Sequence, residues 1–263
     1  MKIGVIGCGQ MGRPMAEALL SAGFDVVGHD IRPATEFDSF AAHMARDLSD
    51  RDTLISVVRD IPQTTEALVK SGLVHSQNLR HLVISSTVSP RYLGDLAKRV
   101  SPNVSVIDAP MSGAPIAAQE RRLSFMLGGD TAVLDRLEPV FAAMGTSLHR
   151  LGPLGSGMTA KVLNNMIAAS SVVATRLALD WGAQLGANPE VLRQVFHTSS
   201  GQTWFGSHFH QIAFAEEGYD PANTMGILRK DVESLLDALP SNDAEPAYPH
   251  ALITAICGLT PLD

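Results

Sequence analysis

Lys2-Ile3-Gly4-Val5-Ile6-Gly7-Cys8-Gly9-Gln10-Met11-Gly12-Arg13-Pro14-Met15-Ala16 stands at the start of the chain, and its reading decides the fold. Lys2–Ile6 is a short apolar run rich in β-branched residues and reads as a strand. Met11–Ala22 has apolar residues at helical spacing and reads as a helix. Between them, Gly7-Cys8-Gly9-Gln10-Met11-Gly12 fits G-x-G-x-x-G, a pattern that has mechanical meaning in that setting. Gly7 permits the tight turn, Gly9 lets a pyrophosphate approach the backbone, and Gly12 lets the helix pack close to the strand. The helix start at Met11–Arg13 is expected to offer free N–H groups and a positive dipole end to phosphate. Gly7, Gly9, Gln10, Met11 and Gly12 are therefore the expected cradle of a dinucleotide.

Working outward, Asp25–His29, Leu54–Val58, Leu82–Ser85 and Val104–Ile107 read as further strands, and Thr131–Met144 as a helix. Strands alternating with helices imply parallel pairing, so the first half is expected to be an α/β, doubly wound Rossmann sheet. Asp30 ends the second strand, where a carboxylate accepts hydrogen bonds from adenosine ribose hydroxyls and repels a 2′-phosphate. NAD is the expected cofactor, with NADP left open by Arg32, which can swing over a 2′-phosphate. Ligands in open α/β sheets sit outside the carboxyl ends of the strands, so Val58, Arg59 and Thr87 join the expected cofactor contacts. Thr87 would meet the nicotinamide ribose or else cap a helix before Pro90.

The character changes near Leu151, where Gly152, Pro153, Gly155 and Gly157 cluster. Beyond them Val162, Leu163, Met166, Ile167, Val173, Ala174, Leu177 and Ala178 recur at helical spacing, and the pattern continues to Gly186 as one long helix. Asn188–Phe196 and Leu228–Leu239 also read as helices. The expected organisation is a nucleotide-binding domain over 1–152 and an all-helical domain over 153–263. Asn164, Asn165, Arg176 and Asp180 within the apolar stretch Val162–Leu185 argue for a buried helix, not a membrane span.

The 263 residues are 45% hydrophobic and 18% charged, as in an ordinary globular protein. A net charge of −7 argues against nucleic acid or an anionic membrane as a broad-surface partner. The 2 cysteines, Cys8 and Cys257, cannot build a disulfide framework, and the first residues lack the regions of a secretory signal. The expectation is a soluble cytoplasmic protein. His208-x-His210 is too sparse for zinc, so no metal is expected. Ser199 and Ser200 have no partners at spacings that suggest hydrolysis.

Gly7–Ala16 resembles the signature of the β-hydroxyacid dehydrogenase family, which includes 3-hydroxyisobutyrate dehydrogenase and tartronate semialdehyde reductase, with 6-phosphogluconate dehydrogenase more distant. Asp108-Ala109-Pro110-Met111-Ser112-Gly113 is similar to the family's substrate-binding segment. Gly152-x-x-Gly155-x-Gly157-x-x-x-Lys161-x-x-Asn164-Asn165 is similar to its catalytic segment, and Lys230-Asp231-Val232 to its C-terminal lysine motif. The resemblance implies that Ser112 and Gly113 bind the substrate carboxylate, that Lys161 is catalytic, that an asparagine just after it positions substrate, and that Lys230 touches the cofactor. It also implies a long helix joining two domains. The chain departs from the family's pattern at Ala114, Ala117 and Arg121, where glycines are usual, and at Asn223, where an aromatic residue is common. It also ends at Asp263, short of typical members. These changes border the expected substrate pocket.

The chemistry agrees. Moving a hydride from a hydroxyl-bearing carbon requires a base for the hydroxyl proton. A free lysine, at about 10.4, is too basic. Burial, a neighbouring nicotinamide cation and a helix N-terminus all disfavour its charged form. Asn165 lies four residues beyond Lys161, on the same helix face, and Asn164 lies three beyond. One amide can hold the substrate hydroxyl while the other orients the lysine, with Asn165 favoured for substrate. Two backbone N–H groups and the Ser112 hydroxyl can grip a carboxylate, and Ser200, Gly201 and Trp204 form a loop placed either to close over substrate or to connect helices. The reading is a nicotinamide-dependent oxidoreductase acting on a small β-hydroxy acid or its semialdehyde, as a homodimer or higher homo-oligomer packed through the long helix. The alternative is an NAD(H)-binding sensor or interaction module without turnover.

Overall fold

Short Val- and Ile-rich runs buried on both faces satisfy their backbone groups by pairing with one another. In the computed structural model, which describes residues 1–240 and 246–262, five such runs lie in parallel. They are β1 (Lys2–Ile6), β2 (Asp25–His29), β3 (Thr53–Ser56), β4 (His81–Ile84) and β5 (Ser105–Asp108), in the spatial order β2-β1-β3-β4-β5. The register runs Ile6 beside His29 and Ser56, and Ile84 beside Ser56 and Asp108, so the carboxyl ends line up along one edge.

Three further strands extend the sheet. These are β6 (Met111–Ser112), β7 (Leu123–Gly128) and β8 (Gly145–Gly152), with β7 antiparallel to β5 and β6 and parallel to β8. The expected all-parallel sheet is thus mixed at this margin. Here β6 has only two residues and β8 is largely exposed, so neither carries a strong apolar signature.

Helices cover both faces, as doubly wound folds require. They are α1 (Gly12–Ser21), α2 (Ile61–Thr64), α3 (Pro90–Ala97), α4 (Ala114–Gln119) and α5 (Thr131–Met144). Met15 and Leu19 of α1 pack with Leu137 and Phe141 of α5 against Ile3, Val5 and Phe125. Leu93 and Leu96 of α3 pack with Leu68 against Leu82 and Ile84 on the other face. Side-chain caps fix the helix starts: Asp60 accepts from Gln63 N at 2.9 Å, Ser89 from Tyr92 N at 3.0 Å and Asp130 from Val133 N at 3.1 Å. Ser89, not Thr87, is therefore the cap before Pro90.

The rest is helical: α6 (Ser156–Gln184), α7 (Pro189–Thr198), α8 (Trp204–Ser207), α9 (Thr224–Ala238) and α10 (Ala247–Cys257). Packing divides the chain into two compact units, Met1–Lys161 and 162 onward, so the first turns of α6 belong with the sheet. In the second unit Ala169, Val172 and Leu179 of α6 meet Phe205, Phe209, Val232, Leu252 and Ile256. By length and composition alone α6 suffices to cross a membrane. Arg176, only 2% exposed, instead ties it into a protein core. Its guanidinium donates to the carbonyls of Ala215 and Glu217 at 2.8 Å and of Thr260 at 2.6 Å.

Candidate active site

The turn after β1 is built by close approach. A Cβ on Gly12 would lie 1.8 Å from the Gly7 carbonyl oxygen, so only glycine lets α1 start there. Gly7 has φ +89° and its amide donates to His29 O, whereas the space over Gly9 is open for 4 Å. An open, glycine-lined concavity between a strand end and a helix start fits a pyrophosphate. One part of the expectation needs correcting: the Arg13 amide is not free but is committed to Gly9 O at 3.1 Å, an i to i−4 bond that already closes over the glycine turn. Cys8 fills the space under the turn. Burial and the nearby Asp30 carboxylate push its thiol up to about 12, which leaves it inert.

Asp30 follows β2 with its side chain 9% exposed. Its Oδ2 accepts from Cys8 N at 2.8 Å and from Arg32 Nη2 at 3.2 Å. Its Oδ1 accepts from Arg32 N and Nε, both at 3.0 Å. Burial pushes this carboxyl up, but the Arg32 and Cys8 donors outweigh burial and hold it below the usual carboxylate range. At the end of β3, Val58 packs beside Gly7 and the Arg59 amide donates to Gln63 Oε1 at 3.0 Å. Thr87 follows β4, after buried Ser85 and Ser86. These residues share the edge of carboxyl ends with the glycine turn.

Asp108, the last residue of β5, is fully buried and reaches the start of α6. Its Oδ1 accepts from Gly155 N at 2.8 Å and its Oδ2 from Met158 N at 2.6 Å. Burial pushes the carboxyl up, and the backbone donors oppose that shift. Gly157 allows the approach, since a Cβ there would come within 2.2 Å of Met126 O. Lys161, 8% exposed, lies three residues beyond Met158 on the same helix. Between β5 and α4, Ser112 is half-buried on β6 and Gly113 has φ +141°, with Ala117 Cβ close against it. Ala114 and Arg121, two of the positions that depart from the family's glycines, have φ +51° and +57°.

In the second unit, a polar chain links α6 to α9. Asn164 Nδ2 donates to Asn165 Oδ1 at 3.2 Å, and Asn165 Nδ2 donates to Asp231 Oδ2 at 2.5 Å. Lys230 Nζ sits 2.7 Å from Asp231 Oδ1, as an ion pair without hydrogen-bond alignment. The structure thus brings Asn164, Asn165 and Lys230 together around Asp231. Trp204 begins α8, is 60% exposed and stacks on His208 with ring centroids 4.9 Å apart. With His197, Thr203 and Gln211 it lines an open recess of about 420 Å³ in the same unit. Ser200 and Gly201 are exposed in the preceding turn.

Asp108 and Asp231 were not among the expected site residues, although both stand inside quoted motifs. An acid closing an apolar strand, and an acid on an amphipathic helix facing an Asn pair, are the signals that would have found them. Among the described residues, no group of three or more His, Cys, Asp or Glu is placed to hold a metal ion.

Comparison with known proteins is consistent throughout. Residues 2–155 match the NAD-binding domain of 6-phosphogluconate dehydrogenase, and residues 155–249 match the NAD-binding domain of NADP-dependent 3-hydroxyisobutyrate dehydrogenase. The mitochondrial 3-hydroxyisobutyrate dehydrogenase of Homo sapiens is 30% identical over 230 residues, covering 84% of this chain and 68% of the relative. The 2-hydroxy-3-oxopropionate reductase of Escherichia coli is 34% identical over 202 residues, covering 74% and 69%. A solved 3-hydroxyisobutyrate dehydrogenase of Mycobacterium tuberculosis with L-serine superimposes with TM-score 0.79 at 26% identity, covering 100% of this chain and 96% of that one. These relatives are dehydrogenases and reductases acting on hydroxyl groups, which favours turnover over a sensor role. Family matches over residues 2–249, with relatives at 30% identity and above, place this protein in the β-hydroxyacid dehydrogenase family.

Proposed function

We propose that this chain interconverts a small β-hydroxy acid and its semialdehyde, with Lys161 carrying the hydroxyl proton and NAD preferred over NADP. The observation that carries this reading is a lysine buried to 8% exposure on a helix whose first turn is pinned by Asp108 to the carboxyl end of the sheet. Gly7, Gly9, Gln10, Met11 and Gly12 hold the pyrophosphate, Asp30 takes the adenosine ribose, and Val58, Arg59, Thr87 and Lys230 complete the cofactor contacts. The cofactor, when bound, supplies the hydride acceptor or donor. Lys161 takes the substrate hydroxyl proton in oxidation, which requires its neutral form, and returns it in reduction. Ser112 and Gly113 grip the carboxylate, Asn165 orients the hydroxyl, and Asn164 and Trp204 complete the substrate contacts. The L-serine in the solved Mycobacterium tuberculosis 3-hydroxyisobutyrate dehydrogenase supports a small polar acid as substrate class.

The protein works in the cytoplasm as a homodimer, with a nucleotide-binding domain that takes in the first turns of α6 and an all-helical domain after them. Leu163, Ile167 and Trp181 along α6, and Leu185 just past its end, are 43%, 67%, 57% and 87% exposed, an apolar surface suited to a second copy. Absorbance at the reduced-nicotinamide band, with a panel of small hydroxy acids and semialdehydes, tests the activity. Turnover of at least one panel member is expected. Cofactor binding without turnover across the panel overturns the reading in favour of a sensor, and light scattering at monomer mass removes the dimer.

A further inference from the structure

We propose that Arg32 and the adenosine ribose compete for one carboxylate, so that docking of Arg32 on Asp30 sets the balance between NAD(H) and NADP(H). This rests on the reading that Asp30 is the ribose acceptor. A carboxylate offers about four lone-pair sites. Asp30 has filled its sites with Cys8 N and with Arg32 N, Nε and Nη2, all within 3.2 Å. A ribose hydroxyl can donate to it only where an Arg32 donor lets go.

Arg32 is built to be held and released. Its guanidinium lies 4.6 Å from the centroid of the Phe37 ring, and Nη2 also donates to Cys8 O at 3.1 Å, which orients the plane. Phe37 is buried at 1% exposure and provides a fixed platform. The Arg32 side chain is 44% exposed while Asp30 is 9%, so the arginine moves and the carboxylate stays. An ion pair this open to water is held weakly.

The two positions suit different cofactors. Docked, Arg32 neutralises Asp30 and commits Nε and Nη2, so that Nη1, which has no partner among the described residues, is left to donate to a 2′-phosphate. Undocked, it bares the carboxylate for ribose hydroxyls. A docked arginine therefore costs NAD affinity and makes NADP tolerable.

Fluorescence titration gives dissociation constants for NADH and NADPH on wild type, Arg32→Ala, Arg32→Met and Asp30→Ala. Arg32→Met keeps an apolar stem over Phe37, so it separates loss of charge from loss of packing. Both Arg32 variants are expected to tighten NADH and weaken NADPH, each by roughly three- to tenfold, the range of a partly exposed ion pair. Asp30→Ala is expected to weaken NADH. If the ratio of the two constants stays within about twofold in both Arg32 variants while Asp30→Ala weakens NADH, competition is wrong and the ribose reading stands. If Asp30→Ala leaves NADH unchanged, the ribose reading fails and the competition with it.

Discussion

Asp108 is the residue whose removal shows most directly how the fold holds the chemistry. Asp108→Ala deletes the acceptors of Gly155 N and Met158 N at the start of α6. A hydrogen bond to a charged group contributes about 1.5–3 kcal/mol, so two contribute roughly 3–6 kcal/mol. Burial of the charge, visible in the raised carboxyl pKa, opposes part of this. The net loss is about 2–4 kcal/mol, which at about 2–4 °C per kcal/mol lowers the thermal midpoint by roughly 5–15 °C. Asp108→Asn keeps one acceptor but turns an amide N–H toward the other backbone donor, so its loss falls between wild type and alanine. Thermal unfolding followed by circular dichroism at fixed protein concentration reads the effect. NADH titration of the same variants shows whether the glycine turn is intact. An alanine variant that melts within about 1 °C of wild type refutes the claim that this carboxylate anchors the helix.

Ala114 and Arg121 have φ +51° and +57°, a region that costs an L-residue about 1–2 kcal/mol. Ala114→Gly and Arg121→Gly are expected to raise stability by about 0.5–1 kcal/mol each in urea unfolding, and a loss at either position contradicts the strain. His81 is buried at 7% exposure; burial first, then Arg136 and Arg80 against Asp52, holds its pKa below the ordinary value. The unfolded chain binds this proton more readily, so the neutral ring's contribution is intact above about pH 6.5 and is lost as pH falls from there through the folded pKa. Urea unfolding between about pH 7 and pH 5 should show a shallower decline in His81→Asn than in wild type, and parallel curves would clear His81 of that role.

The parallel core of the sheet is legible because each strand is an unbroken apolar run, such as Leu54-Ile55 or Leu82-Val83-Ile84, and because the glycine turn has a strand before it and a helix after it. The antiparallel margin is not. Two-residue β6 and exposed β8 are strands only through their neighbour β7, and tertiary pairing leaves no local period. Lys161 and Asn165 stand out as polar residues on an apolar helix. Asp108 and Asp231 do not, since a buried acid is recognised by the donors it meets, and those lie 47 or more residues away in sequence for Asp108 and 66 for Asp231. The commitment of Asp30 to Arg32 is likewise a matter of side-chain geometry.

The central claim is that Lys161 carries the proton. With a substrate from the panel in hand, the measurement is kcat of Lys161→Ala beside its NADH dissociation constant. A positioned acid–base group contributes about 10²–10⁴-fold, so kcat is expected to fall by roughly that factor while NADH binding stays within about threefold of wild type. An alanine variant that turns over within about tenfold of wild type, with normal NADH binding, would contradict the account.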